Sequence, residues 1–136
     1  ITGAAGLDIL TGGGGNDTYS IAVESSKFIF DTITDIADGD IIAVANKGIE
    51  VFTTAAKTLS GDAALSDFLD LAAAGTGAGT NGVFTWFNYG GNTFVVQDQT
   101  AGAIFVVATD MVVKLTGVHD LKLSDVGGAL LTIDFA

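Results

Sequence analysis

Two aspartates near the start of the chain are nine residues apart, and each follows glycines at the same offsets. Asp8 ends the segment GAAGLD, and Asp17 ends the segment GGGGND. The nonapeptides 3–11 and 12–20 follow the pattern G-G-x-G-x-D-x-U-x, where U is large and apolar, with one departure at Ala4. Carboxylate and carbonyl oxygens are the ligands that Ca²⁺ prefers, and glycine lets a backbone approach an ion closely. The spacing therefore predicts calcium-binding turns of a parallel β-roll, whose U residues point into a core.

The expected metal ligands follow from this pattern, because each aspartate supplies a carboxylate and the neighbouring glycines supply carbonyl groups. They are Asp8 and Asp17, helped by Gly6, Gly12, Gly13 and Gly15. A flexible linker is also rich in glycine, but it would not place an aspartate and a bulky residue at fixed offsets twice. A phosphate-binding loop would end in Gly-Lys-Ser or Gly-Lys-Thr, and these repeats have no such ending.

A second acidic cluster consists of Asp35, Asp38 and Asp40. Its spacing is not that of an EF-hand loop. Two interpretations are open: a solvated turn of charged residues, or a calcium site that caps the roll. Asp38-Gly39 is a turn signal between two β-prone stretches.

The composition limits the partners that the chain can bind. Sixteen acidic residues face five lysines and no arginine, which gives a net charge of −11. Nucleic acids and anionic membrane surfaces are therefore poor partners, since both need cationic side chains. No apolar run approaches the roughly 18 residues of a membrane span, so we expect no membrane insertion. Without cysteines there are no disulfides, and bound calcium can take their stabilising role.

The elements that must position these residues are mostly strands. We predict the end of a β-roll over residues 1–26, followed over 27–136 by a mostly antiparallel β domain with one helix. The helix is expected near 62–74, capped by Ser60 or Asp62 and ended by Gly75. A hairpin is expected where 83–89 and 93–97 flank Gly90-Gly91-Asn92. Further strands are expected at 18–22, 48–53, 103–108, 111–115 and 130–135.

The sequence carries no sign of catalysis. His119 is the only histidine, the chain has neither a G-x-S-x-G nor an H-E-x-x-H motif, and a lone histidine makes a poor transition-metal site. Most of the aromatic residues, including Trp86, are expected in the core, and a sugar-stacking or partner-binding role of Trp86 is the less favoured alternative. We therefore predict that the chain is not an enzyme.

Residues 3–20 resemble the repeats-in-toxin (RTX) family of secreted calcium-binding proteins. Residues 31–42 are similar to the segment D-x-I-x-D-F-x-x-G-D-x-I that often follows such repeats, with Ile36 in place of the aromatic residue. Parts of 86–117, such as WFNYGGNT and VKLTG, resemble the C-terminal regions of RTX-type surface-layer and adhesin-like proteins.

The resemblance implies export from a Gram-negative cell by type I secretion machinery, followed by calcium-dependent folding outside the cell. An uncleaved C-terminal signal directs this export, and residues 130–136 resemble such a terminus; an ordinary last strand is the competing interpretation. In the family's roll, calcium lies between loops two repeats apart. The loop of Asp17 would then stack on one before Ile1, and the loop of Asp8 on residues 21–29, where Glu24 is the only carboxylate. We therefore expect half-sites and one irregular calcium site.

Three functions are compatible with the resemblance. The first is a structural, self-associating C-terminal region of a surface layer, adhesin or extracellular filament. The alternative is the accessory or secretion domain of a secreted hydrolase, such as a serralysin-like protease or a lipase. A third is a free polymerising domain released by proteolysis, since a β-rich chain without proline has little protection of its strand edges.

Overall fold

The computed structural model describes residues 1–23, 28–44, 48–74, 81–107 and 109–136, and of Asn81 it describes the backbone alone. The strands are β1 (Ile9–Leu10), β2 (Thr18–Ser20), β3 (Asp31–Ile33), β4 (Ile41–Ala43), β5 (Ile49–Phe52), β6 (Asn81–Tyr89), β7 (Asn92–Asp98), β8 (Met111–Leu115), β9 (Asp125–Gly127) and β10 (Leu130–Thr132). The helix, α1, is Leu65–Ala73. The chain is mainly β with one short helix, which confirms the predicted fold class.

The strands form two sheets. The larger sheet has the order β1-β3-β8-β7-β6-β5, and the smaller has the order β2-β4-β10-β9. Parallel pairing joins β1 to β3, β2 to β4, β3 to β8 and β5 to β6. Antiparallel pairing joins β6 to β7, β7 to β8, β4 to β10 and β9 to β10. Among the described strands beyond residue 26, four pairs are antiparallel and two are parallel.

Side chains of the larger sheet point alternately to two cores. In β6, Phe84 and Trp86 belong to the core shared with the smaller sheet, whereas Phe87 belongs to the core beneath α1. In β7, Val95 joins the first core and Phe94 the second. Because both faces of these strands are covered, their central segments, VFTWF in β6 and FVV in β7, are mostly apolar without strict alternation. Trp86 is 4% exposed, which confirms its predicted place in the core.

The helix presents its predicted apolar face to the larger sheet. Phe68, Leu69 and Ala72 are buried. The ring of Phe68 stacks on that of Phe87 with 5.0 Å between the ring centroids. This contact closes the second core, so that the molecule has a layer order of small sheet, large sheet and helix.

The predicted helix cap was wrong. Ala64 is the N-cap, and neither Ser60 nor Asp62 occupies that position. The helix start is fixed instead by Asp67, whose carboxylate accepts the Ala64 N–H at 2.9 Å, and an acidic residue in the first turn also suits the helix dipole. Gly75, which was expected to end the helix, lies outside the described residues.

The predicted hairpin is confirmed, but its turn has two residues rather than three, since Asn92 begins β7. Strands β6 and β7 pair antiparallel from Val83 opposite Asp98 to Tyr89 opposite Asn92. The two residues between them have positive φ angles, +58° at Gly90 and +79° at Gly91. Two such angles define the type I′ turn that matches the twist of paired strands, and glycine adopts them without strain.

Four of the other predicted strands are present: β8 has the predicted bounds, and β2, β5 and β10 are shorter than predicted. The strand predicted at 103–108 was wrong, since residues 103–107 form no strand and residue 108 is outside the described part. Carboxylates take the backbone N–H groups there: Asp70 accepts that of Phe105 and Asp110 that of Val106. Strand β9 was not predicted, because its sequence Asp-Val-Gly has little strand preference.

The roll continues past the two nonapeptides. Thr2 bridges Ser20 in parallel, which is a spacing of two nonapeptides. The same nonapeptides, residues 3–20 (the first coil), then pair in parallel with residues 31–43 (the second coil) through β1–β3 and β2–β4. Strands on both sides of the predicted boundary at residue 26 therefore belong to the same two sheets.

Candidate metal centre at the turns of the roll

One turn of the first coil stacks on one turn of the second. The carboxylate of Asp35 accepts the N–H groups of Gly12 at 3.0 Å and Gly13 at 2.7 Å. The carboxylate of Asp40 accepts the N–H of Asp17 at 2.9 Å. These contacts bring Asp17 next to Asp35 and Asp40, which lie 18 and 23 residues further along the chain.

Tyr19, the U residue of the second nonapeptide, reaches into this acidic group. Its ring is fully buried and its hydroxyl donates to Asp35 at 3.1 Å. Burial raises the pKa of Tyr19 well above its ordinary value, and the negative charges of Asp35, Asp40 and Asp17 raise it further. The hydroxyl is therefore a permanent donor at neutral pH, among three carboxylates.

Asp17 has one carboxylate oxygen that suits a metal ion. Its Oδ2 is buried and has no hydrogen-bond partner. Gly12 lies directly against it, so that a Cβ at Gly12 would overlap both this oxygen and the hydroxyl of Tyr19. Burying a charged oxygen without a partner is costly, and a bound cation would remove that cost.

The turn of Asp8 is built in the same way. The Oδ2 of Asp8 is buried without a hydrogen-bond partner. Its N–H donates to Asp31 at 3.1 Å, and Asp31 is itself fully buried against Gly3. Asp31 was not predicted as a site residue, although its place at the start of the segment D-x-I-x-D was the available signal.

The expected stacking of the loops was wrong in register. The strand after Asp8 pairs with β3, 23 residues further on, rather than with residues 21–29. The two coils are offset by 23 residues, five more than the 18 residues of two nonapeptides, because of the chain that connects them. Glu24 belongs to this connection and lies outside the described residues. The turn of Asp17 also has a partner within the chain, the turn at 35–40.

The glycines expected to supply carbonyl groups lie in the turns. Gly6, Gly13 and Gly15 have positive φ angles of 123°, 95° and 103°, which other residues adopt at a cost. Gly12 does not, and its role is the close approach to Asp17 and Tyr19. The backbone therefore bends where the nonapeptide pattern requires it.

The carboxylates of the second acidic cluster accept backbone N–H groups. Asp40 is 1% exposed, and its second oxygen accepts the N–H of Ala37 at 2.8 Å. Asp38 is exposed and accepts the N–H of Phe135 at 2.7 Å. Each carboxylate of the cluster thus fixes a backbone amide.

The donor set fits calcium in part. In the described part of the chain, no three acidic or histidine side chains converge as a metal-binding group. The buried free oxygens of Asp8 and Asp17 fit an ion that is completed by backbone carbonyls. Asp35 and Asp40 fit less well, since both oxygens of each already accept hydrogen bonds.

An open cavity of about 560 Å³ includes Trp86, Asn88 and His119 in its wall. The indole N–H of Trp86 donates to the carbonyl of Thr54 at 3.1 Å. The ring of His119 stacks on Phe135, with 4.4 Å between centroids, and its Nε2 lies 2.9 Å from the carbonyl of Thr116. Trp86 and His119 are thus engaged in structural contacts in the wall of this cavity.

No protein-family model matches the chain, and no curated protein matches it either. None of the helices that the structure describes is long and apolar enough to cross a membrane.

Proposed function

We propose that the chain is a structural, calcium-binding C-terminal region of a secreted RTX-type protein, of the surface-layer, adhesin or filament kind. The observation that supports it best is the pairing of two in-phase nonapeptides with a further coil, with buried aspartate oxygens at the turns. In this proposal the chain is not an enzyme, is exported by type I secretion machinery and acts outside the cell.

Calcium would be held chiefly by Asp17 and Asp8, together with carbonyl groups of the glycine turns. The ion would supply positive charge to buried carboxylate oxygens that the protein leaves without donors. Extracellular calcium modules bind with dissociation constants of about 10⁻⁴ to 10⁻³ M. Such a site is empty at cytosolic calcium levels and filled outside, so that calcium would add stability to the folded roll only after export.

Thermal melts and calorimetry in millimolar calcium chloride and in chelator test the proposal. A ligand present at 100 times its dissociation constant stabilises the folded state by about 2.7 kcal/mol. Asp17→Ala should weaken calcium binding much more than Asp38→Ala, a matched control that also removes one carboxylate. Equal losses would mean that the acidity acts diffusely, and identical melts without detectable binding would refute calcium binding altogether.

Self-association is the second part of the proposal, and exposed apolar residues at both edges of the larger sheet support it. At one edge, Leu7 before β1 and Ile9 in β1 are 63% and 71% exposed. At the other edge, Ile49 and Val51 in β5 are 60% and 49% exposed. Edge strands of this kind pair readily with other chains. The net charge of −11 opposes association, and divalent cations reduce that repulsion.

Light scattering in calcium chloride and in sodium chloride of equal ionic strength tests this part. Assembly should depend on calcium more than on sodium. A monodisperse monomer at high protein concentration in millimolar calcium would favour the alternative, the accessory domain of a secreted hydrolase.

Export is tested on the end of the sequence given. Residues Leu130–Thr132 form β10, and Leu131 and Ile133 are fully buried, so deletion would damage folding as well as any signal. Residues 100–136 should therefore be fused to an unfolded passenger in cells that carry a type I transporter. The passenger should appear in the medium, and its retention would leave this segment with a structural role alone.

A further inference from the structure

The second coil departs from the nonapeptide pattern at one informative position. Relative to the first coil it is offset by 23 residues, which places Asp35 opposite Gly12 and Asp40 opposite Asp17. A carboxylate thus stands where the pattern has its first glycine. We infer that the second coil is attached to the first without a metal ion, by carboxylates that accept the backbone N–H groups of the first coil.

Three aspartates of the second coil make these contacts at the same offset. Asp31 accepts the N–H of Asp8 at 3.1 Å. Asp35 accepts two N–H groups, from Gly12 and Gly13, through its two oxygens, and Asp40 accepts that of Asp17. Four amides of the first coil are therefore bound by three side chains of the second.

The contact between the two coils (the joint) also contains uncharged groups. The hydroxyl groups of Thr11 and Thr34 are 2.7 Å apart, and the N–H of Thr34 donates to the carbonyl of Leu10 at 2.9 Å. Gly39 packs against the side-chain amide of Asn16, where a Cβ would be 2.7 Å from Nδ2. The two coils are thus in register along the turn as well as along the strands.

The contact of the first coil with Ile1 and Thr2, at the 18-residue spacing, is different in kind. Its described hydrogen bonds join backbone groups: Ser20 N–H to Ile1 carbonyl at 2.7 Å and Gly3 N–H to Ser20 carbonyl at 3.1 Å. At the 23-residue spacing, carboxylates of the second coil accept hydrogen bonds from backbone N–H groups of the first coil.

Charge explains why this joint does not need an ion. Hydrogen bonds to a carboxylate are stronger than those between neutral groups, and each negative charge here is shared by N–H dipoles. A calcium ion at Asp35 or Asp40 would compete with donors that already point at both oxygens. The inference does not depend on whether calcium binds at Asp17 or Asp8.

Hydrogen exchange of the whole chain, measured in EGTA and again in calcium chloride, tests the inference. In EGTA the amides of Gly12, Gly13 and Asp17 should be protected, and calcium should change their rates little. The inference is overturned if these amides exchange at the rate of an unfolded chain in EGTA while β7 stays protected. It is equally overturned if the whole chain folds only with calcium.

Substitution identifies the groups responsible. In EGTA, Asp35→Asn should speed exchange at Gly12 and Gly13 by about 10- to 100-fold, since it replaces a charged acceptor. Asp62→Asn, an exposed position that loses the same charge, should leave these rates unchanged. Equal exchange rates in the two variants would contradict the inference. If Asp35→Asn does not fold, the exchange rates of the wild-type chain in EGTA and in calcium chloride still decide it. Failure to bind calcium in calorimetry would refute the proposed function while leaving this joint intact.

Discussion

Replacing Gly12 by alanine tests the close packing at the centre of the candidate site. A Cβ at this position would overlap the carboxylate of Asp17 and the hydroxyl of Tyr19. Gly12 does not have a positive φ angle, so its backbone suits alanine and the clash acts alone. Gly14, two residues away, also lacks a positive φ, and a Cβ there would meet nothing within 4 Å. Gly14→Ala is therefore a matched control.

The expected magnitude comes from the comparison of the two variants. Alanine at a compatible glycine position stabilises a protein by about 0.4–1 kcal/mol, because it restricts the unfolded chain. Both variants share this gain, so the difference between their free energies of unfolding isolates the clash. Overpacking of a dense site costs about 1–3 kcal/mol. We expect Gly12→Ala to be less stable than Gly14→Ala by that amount.

Urea denaturation measures this difference. For a small domain with a slope of about 1–3 kcal/mol per molar urea, the midpoints should differ by about 1 M. The difference should shrink when Asp17→Ala and Tyr19→Phe remove both atoms that the new methyl group would meet. Equal midpoints for Gly12→Ala and Gly14→Ala would refute the proposed packing of the turn.

Three further predictions concern pH, the core and the helix. The hydrogen bond from the Gly12 N–H is the largest of the effects that lower the pKa of Asp35. The stabilisation of the folded state by the ionised Asp35 carboxylate is therefore present above the unfolded-state pKa of about 3.9. It is lost as the pH falls through the lower pKa that Asp35 has in the folded state. Denaturation at several acidic pH values should show a weaker pH dependence for Asp35→Asn, and an unchanged one would contradict this. Leu131→Ala should lose about 2–5 kcal/mol, since Leu131 is fully buried, whereas Leu130→Ala, at a residue 45% exposed, should lose much less; similar losses in urea would count against the assignment of β10. Thr85→Val removes the buried hydroxyl that donates to a carbonyl of α1 at 2.9 Å, and the variant should lose about 1 kcal/mol of stability in thermal melts. Thr85→Ser should recover part of this loss, and no recovery would mean that the hydrogen bond is unimportant.

Local patterns carried much of the fold. The Gly90-Gly91 pair defined the hairpin because a two-residue turn needs two positive φ angles, which is a property of adjacent residues. The helix face was readable for the same reason, since Phe68, Leu69 and Ala72 recur at the helical period. The start of the helix could not be predicted in this way, because the side chain that fixes it is Asp67, which accepts the Ala64 N–H, and not one of the preceding polar residues.

The site was predictable only where it is periodic. Asp8 and Asp17 stand out because two nonapeptides repeat in phase. The partners of these residues, Asp31 and Asp40, lie 23 residues further on. That offset includes the chain that connects the coils, whose length follows no repeat, so the stacking register could not be read from the period.

The sequence by itself determined that this chain forms mainly strands, bends at glycine turns and carries aspartates where a roll would place them. Those properties depend on residues within about one nonapeptide of each other, and local spacing is sufficient for them. Only the tertiary structure decided which turn stacks on which, and that Asp35 holds the amides of Gly12 and Gly13. The physical reason is that strand pairing and side-chain contacts between distant segments are chosen by burial across the two sheets, and a linear pattern does not record which segments meet.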